Sequence, residues 1–263
     1  MRVALIQSEP AFGEPERNLE ALRGAIASLE ADLYVLPELC LSGYDFEDRA
    51  ELARFAEEPG GPLAKALAQA ALGRGAGISF GFAEAAPGGR LYNSALLALP
   101  GGPRRVYRKT HLFAREKLLF EPGDTGFFVE EFRGLRVGPA ICFDWIFPEA
   151  FRTLALLGAD LVAHSANLVL PYCQRAAFAR AVENRVYVAT SNRVGTEERS
   201  GRRLTFTGES VLVAPDGEYL ARLGTDAPGV AVARVHPAKA RDKRVPSGDD
   251  IFADRRPEMY RLG

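Results

Sequence analysis

Short apolar runs that end abruptly in polar residues alternate along this chain with stretches of helical spacing. That alternation restricts the fold more than any other feature. Residues 3–7 read as a strand, and 14–30 follow with Leu19, Leu22, Ile26 and Leu29 recurring at helical spacing. Residues 33–36 form a second buried strand, and 47–72 are helix-rich, interrupted at Pro59-Gly60-Gly61-Pro62. Segments 78–84 and 91–99 read as a hairpin across Ala86-Pro87-Gly88-Gly89, and 104–108 as a strand after Pro100-Gly101-Gly102-Pro103. Residues 109–126 lack periodicity, and a loop of that length in a compact domain points to function. Further on, 127–132 pair with 135–143 around Arg133-Gly134, 148–157 form a helix opened by Pro148, and 160–164 are a strand. A helix over 172–185, a strand over 186–191, a hairpin of 208–214 with 218–223, and a last strand over 230–235 precede an arginine-rich tail. This mixture of βαβ units with hairpins predicts two mixed sheets packed face to face, with helices on both outer faces.

Nothing linker-like divides the 263 residues, so one domain spanning 1–263 is expected, able to bury roughly three quarters of its unfolded surface. With 47% apolar and 25% charged residues the chain reads as globular, and its apolar stretches fall far short of the ~20 residues that span a bilayer. The start reads as a strand with no cleavage site after it, so no signal peptide is expected. A net charge of −1 gives no electrostatic case for nucleic acid or an anionic membrane. Three dispersed cysteines and three dispersed histidines argue against a disulfide framework and a zinc site. Hence neither metal nor cofactor is expected, and a reducing cytoplasm fits. Few Asn, Gln, Met and Cys beside many Arg, Glu and Pro point to a thermophilic source, although a GC-rich genome would leave the same mark.

Three residues far apart stand where strands end. Glu38 closes the run in Leu36-Pro37-Glu38-Leu39, Lys109 follows the basic strand in Tyr107-Arg108-Lys109-Thr110-His111, and Cys142 closes Val137-Gly138-Pro139-Ala140-Ile141-Cys142. A side chain at the carboxyl end of a buried strand points into the crevice where open α/β sheets place ligands. The three chemistries complement one another. Cys142 offers a thiol whose thiolate is favoured by positive charge or a helix N-terminus, here Lys109 and the helix at Pro148. Glu38 suits a general base if burial raises its pKa. Lys109 suits an oxyanion, together with a backbone N–H, expected to be that of Phe143. Arg108 is set aside because alternation turns it to the opposite face. A cysteine at a strand end is ordinarily an inert packing residue. Against that, the polar and aromatic loop 143–149 has the composition of a site mouth.

These residues and their surroundings also carry a resemblance. Ser42-Gly43-Tyr44 after the Glu, Tyr92-Asn93-Ser94-Ala95 before the Lys, Phe120-Glu121-Pro122-Gly123 after it, and Phe147-Pro148-Glu149 after the Cys resemble the nitrilase superfamily. Members of that superfamily hydrolyse nitriles, amides and carbamoyl compounds through a Glu-Lys-Cys triad. The resemblance covers essentially the whole chain, most nearly the compact single-domain nitrilases and aliphatic amidases. It implies the four-layer αββα sandwich. It also implies a second pocket glutamate near Lys109, for which Glu116 fits by position and Glu121 competes. The homodimer it implies would pack helix to helix, a reading helped by Ala176, Ala177, Phe178, Ala179 and Ala181 in one helix. The tail 245–263 would lie over the neighbouring subunit, the alternative being its own domain. Substrate contacts are expected from Phe143, Tyr44, Trp145, Asn167 and Tyr172. Arg175 and Arg193 are the candidates for gripping a carboxylated substrate.

The expected reaction is hydrolysis of a small nitrile or amide through a cysteine thioester, releasing ammonia and a carboxylic acid. The alternatives are an N-carbamoyl amide hydrolase and a non-catalytic binding protein on the same fold. A serine enzyme lacks its Gly-x-Ser-x-Gly elbow. A Cys–His enzyme would need His111, His164 or His236 beside Cys142, and none carries a signature. The run Gly73-Arg74-Gly75-Ala76-Gly77 precedes a strand instead of opening a helix, so it is no phosphate loop.

Overall fold

The computed structural model describes residues 1–102, 104–199 and 201–260. In chain order the first half runs β1 (Arg2–Gln7), α1 (Pro15–Ala27), β2 (Leu33–Val35), α2 (Arg49–Ala53), α3 (Pro62–Leu72), β3 (Gly77–Ala86), β4 (Arg90–Ala98), β5 (Arg104–Arg108) and α4 (Glu116–Leu119). The second half runs β6 (Glu130–Phe132), β7 (Leu135–Ile141), α5 (Pro148–Leu156), β8 (Leu161–Ser165), α6 (Cys173–Asn184) and β9 (Tyr187–Ser191). It continues with β10 (Thr196–Arg199), β11 (Arg202–Thr205), β12 (Val211–Val213), β13 (Tyr219–Arg222), β14 (Gly229–Arg234) and α7 (Pro237–Arg241). Helices α1, α3, α5 and α7 each open on proline, whose fixed φ and missing N–H suit the first helical position.

Two six-stranded sheets result, ordered β14-β1-β2-β3-β4-β5 and β13-β12-β9-β8-β7-β6. Each has a parallel centre, β1-β2-β3 and β7-β8-β9, flanked by antiparallel strands. The sheets face each other, with β1 over β9 and β4 over β7. Helices α1 and α3 cover one outer face and α5 and α6 the other. Strand alternation supplies two cores at once. Val3, Leu5, Leu33 and Val35 point between the sheets with Val137 and Leu161, whereas Ala4, Ile6, Tyr34 and Leu36 pack beneath α1 and α3. Strands buried on both faces have to be apolar throughout, which is why they read as unbroken runs. Each fully buried Leu or Ile contributes roughly 2 kcal/mol.

Two expectations change. A third, two-stranded sheet of β10 and β11 stands apart from both main sheets; Thr-Glu-Glu-Arg and Arg-Arg-Leu-Thr show no apolar alternation that would have announced it. The loop 109–126 contains the short helix α4. In α6, Ala177 and Ala181 are buried against the chain's own sheet, while Phe178 and Ala179 stay exposed and Ala176 is half-buried. The tail partly folds onto its own domain: Phe252 packs on the core beneath Arg152 and Lys243, while Met259 and Tyr260 stay exposed. Residues 261–263 of that tail lie outside the described residues. No described helix is long and apolar enough to cross a membrane.

Candidate active site

The chain brings Glu38, Lys109 and Cys142 together from the ends of β2, β5 and β7. Glu38 lies so close to β3 that a Cβ on Gly81 would stand 2.4 Å from Glu38 Cα, an approach only glycine allows. Lys109 is anchored by its own N–H to Asn93 O at 2.8 Å, and Gly123 N–H donates to Lys109 O at 2.9 Å. As alternation requires, Arg108 faces away, onto Glu84 and Asp124. Cys142 leaves β7 with φ +35°, a left-handed conformation that costs a non-glycine residue about 1–3 kcal/mol.

Buried partners hold that strained residue on both sides. Asp144 Oδ2 accepts the Ile141 N–H at 2.9 Å and the Tyr107 hydroxyl at 2.8 Å, while Asp144 Oδ1 meets His111 Nδ1 at 2.8 Å. His164 Nε2 lies 2.9 Å from Cys142 O and Nδ1 lies 3.0 Å from Thr190 Oγ1. Burial pushes the His164 pKa down to about 4, so the neutral ring donates from Nε2 to the Cys142 carbonyl and accepts at Nδ1. Both ring nitrogens are thus occupied in holding the backbone. His111 stacks on Phe147 with its Nδ1 at Asp144. Neither histidine has the Cys142 thiol as a partner.

Lys109 Nζ donates to Glu38 Oε1 and to Glu116 Oε1, each at 2.7 Å, and all three side chains are buried. Asn93 Nδ2 donates to the same Glu38 oxygen at 2.7 Å, leaving Glu38 Oε2 buried with no hydrogen-bond partner. Tyr44 donates its hydroxyl to Glu116 Oε1 at 2.7 Å, and Phe113 N–H bonds Glu116 Oε2 at 2.9 Å. Glu121 pairs instead with Arg49, on the outside. Burial drives the Glu38 carboxyl up to about 7 despite the Lys109 ammonium, and the Glu116 charge adds to the rise. Burial also opposes the Lys109 charge, but Glu116 and Glu38 outweigh it and raise its pKa. The Cys142 thiol is pushed well up, first by burial and then by the Glu38 charge, with Lys109 pulling the other way. The sequence reading expected a thiolate favoured by Lys109. The folded site instead holds a protonated thiol, because burial disfavours the thiolate and the Glu38 and Glu116 charges add to that against the single Lys109 ammonium.

Phe143, Trp145 and Asn167 line a small chamber at Cys142 with Phe113 and Leu168. The side-chain amide of Asn167 is buried with neither polar atom partnered. Tyr172, by contrast, is exposed at the start of α6 and lines no wall of that chamber. Arg193 is buried and paired with Glu197, so its charge is already met, and Arg175 is exposed. Asn93, Asp144 and Glu197 are functional residues that the sequence does not single out: Asn93 lies in Tyr92-Asn93-Ser94-Ala95 and Asp144 two residues after Cys142, but nothing local marks Glu197.

Residues 2–245 match the family described as carbon-nitrogen hydrolase. The chain belongs to that family. The hydrolase is 45% identical to a nitrilase of Pyrococcus abyssi, over 99% of both chains. It is 32% identical to an N-carbamoylputrescine amidase of Solanum lycopersicum, over 78% of this chain and 73% of the relative. Among solved structures, a mutant of the amidase from Nesterenkonia sp. AN1 superimposes with TM-score 0.80 at 28% identity, covering 99% of this chain and 98% of that one. That structure shows Michael addition of acrylamide at its active-site cysteine. The hydrolase therefore shares the αββα sandwich of the nitrilase superfamily and is an enzyme of the nitrilase and amidase kind, acting on non-peptide carbon–nitrogen bonds.

Proposed function

We propose that Cys142, Glu38 and Lys109 are the nucleophile, general base and oxyanion-stabilising cation of this hydrolase, with Glu116 orienting Lys109. The observation that carries the reading is Glu38 Oε2. It is buried and unpartnered, while its sister oxygen is fixed by Lys109 and Asn93, and the Glu38 charge is near enough to raise the pKa of the Cys142 thiol. In the first half-reaction Glu38 takes the thiol proton as Cys142 Sγ attacks the carbonyl carbon of an amide. The oxyanion gathers the Lys109 ammonium and the Phe143 amide N–H. Collapse of the adduct returns the proton from Glu38 to the departing nitrogen, giving ammonia and a thioester on Cys142. Glu38 then deprotonates water, which attacks the thioester and releases the carboxylic acid and the thiol. A nitrile enters one step earlier: Sγ adds to the nitrile carbon to give a thioimidate, and water adds to it with loss of ammonia. Phe143, Trp145, Asn167 and Tyr44 are the proposed substrate contacts.

Hydrolysis of an N-carbamoyl amine is the second reading, favoured by the likeness to an N-carbamoylputrescine amidase. An ammonia-release assay over small amides, nitriles and carbamoyl amines, with Cys142→Ala beside the parent, tests both. Turnover by the parent and none by the variant is expected; equal ammonia release from Cys142→Ala would end the covalent mechanism. We further propose a homodimer, supported by exposed Leu156, Leu157 and Phe178 on the outer helical layer. Three free, buried cysteines agree with a reducing cytoplasm, and a thermophilic source rests on composition alone.

A further inference from the structure

We infer that the β10–β11 hairpin caps the acyl side of the substrate chamber and sets the length of acyl group this enzyme accepts. The inference rests on the proposed function of the same site. The hairpin belongs to neither main sheet, and its inner-face residues point at the site. Glu197 accepts the backbone N–H of Tyr44 at 3.2 Å and of Asp45 at 2.7 Å, and is held by the buried Arg193. Arg199 donates to Asp45 O at 3.2 Å and reaches Glu51. Arg202 grips Asp45 Oδ1 through Nε at 3.0 Å and Nη2 at 2.8 Å. Three of the four inner residues thus fasten the segment 44–45, whose Tyr44 hydroxyl reaches Glu116.

The fourth inner residue, Leu204, forms with Arg202 one wall of a cavity of about 80 Å³, closed on other sides by Tyr44, Glu116, Phe113 and Val169. Phe113 and Val169 are also walls of the chamber at Cys142, so the cavity adjoins the chamber across these two side chains, on the side away from the nucleophile. Of its charged groups, Arg202 is matched by Asp45 and Glu116 by Lys109, while Arg115 stands at the exposed rim and donates to Glu47 O at 3.0 Å. An acyl group entering there meets apolar walls and, at the far end, a paired Arg202 and the Leu204 side chain. The cavity suits a short uncharged chain and stops a longer one.

Truncating Leu204 removes only wall atoms, so Leu204→Ala should lengthen the cavity without touching the reacting groups. In the parent, kcat/KM is expected to fall from butyramide to octanamide. In Leu204→Ala the octanamide-to-butyramide ratio should rise roughly 10-fold, the discrimination a hydrophobic pocket draws from a methylene or two. The same ratio in parent and variant would overturn the cap. A turnover-independent arm separates this from failure of the proposed reaction. Alkylation of the cysteine by 2-bromoacetamide and 2-bromooctanamide, followed by intact mass with Cys142→Ala as the control, should show the longer reagent excluded from the parent and admitted by Leu204→Ala. Equal labelling of parent and variant by the longer reagent refutes the cap whether or not amides turn over. If the alkylation difference is present but no amide or nitrile yields ammonia, the cap stands and the proposed reaction falls. Arg202→Lys, which keeps a cation for Asp45, serves as a second variant should Leu204→Ala unfold.

Discussion

At the scale of single residues, the site is a balance of one ammonium against two carboxylates, all three buried. Its charge state makes a direct prediction. Glu38 must be ionised to accept the thiol proton, and burial has brought its pKa up to about 7. The kcat/KM profile should therefore rise with pH through about 7 and level off above it, and a profile flat from about pH 5 to 8 would assign the base elsewhere. The same shift links to stability. A carboxyl whose folded pKa lies above its unfolded one contributes stability at low pH and loses it as pH rises through the folded value. Relative to the parent, Glu38→Gln should accordingly gain about 3 kcal/mol in urea unfolding between about pH 5 and pH 8. In turnover the same variant should lose at least ~10²-fold, as should Lys109→Ala.

At the scale of elements, the precision of the site comes from backbones pressed close together. Glycine at 81 lets β3 run against Glu38, and glycine at 123 lets its loop lie on Arg108 O and Lys109 O. Gly81→Ala should push Glu38 off Lys109. The expected result is a loss of kcat greater than the loss of thermal stability, read by comparing kcat with the melting midpoint. Unchanged kcat would show that β3 does not set the position of Glu38. The turn after β7 follows the same logic from the other side. Asp144 ties it to Tyr107 and His111 near Lys109, so the nucleophile and the cation are registered to each other through one buried carboxylate.

For the whole molecule, assembly is the open property. Ala177 and Ala181 of α6 are spent on the chain's own sheet, and the large exposed apolar side chains of the outer helices are Leu156 and Leu157 at the end of α5 and Phe178 on α6. Phe178 also stacks on Tyr219, which is itself 44% exposed. If this layer is the dimer face, Leu157→Glu should yield a folded monomer by light scattering, with a reduced melting temperature. An unchanged dimer in that variant places the interface elsewhere, and a monomeric parent removes it.

The sequence by itself determined the sandwich and the three residues at its strand ends. Residues 3–6, 33–36 and 137–141 are apolar on both faces, which only a sheet covered on both sides accommodates, and each such run ends where backbone leaves the core. Local order along the chain is enough to read that. What tertiary structure alone decided was partnership at a distance. Asn93 meets Glu38 across 55 positions, Tyr44 meets Glu116 across 72, and Glu197 meets Asp45 across 152. The hairpin β10–β11 is charged along its length because its inner face binds polar backbone and carboxylates instead of a core, so no apolar period marks it. The protonation state of Cys142 was equally out of reach. It depends first on how deeply the thiol is buried and then on how close the Glu38 charge lies to it, and only the folded chain sets both.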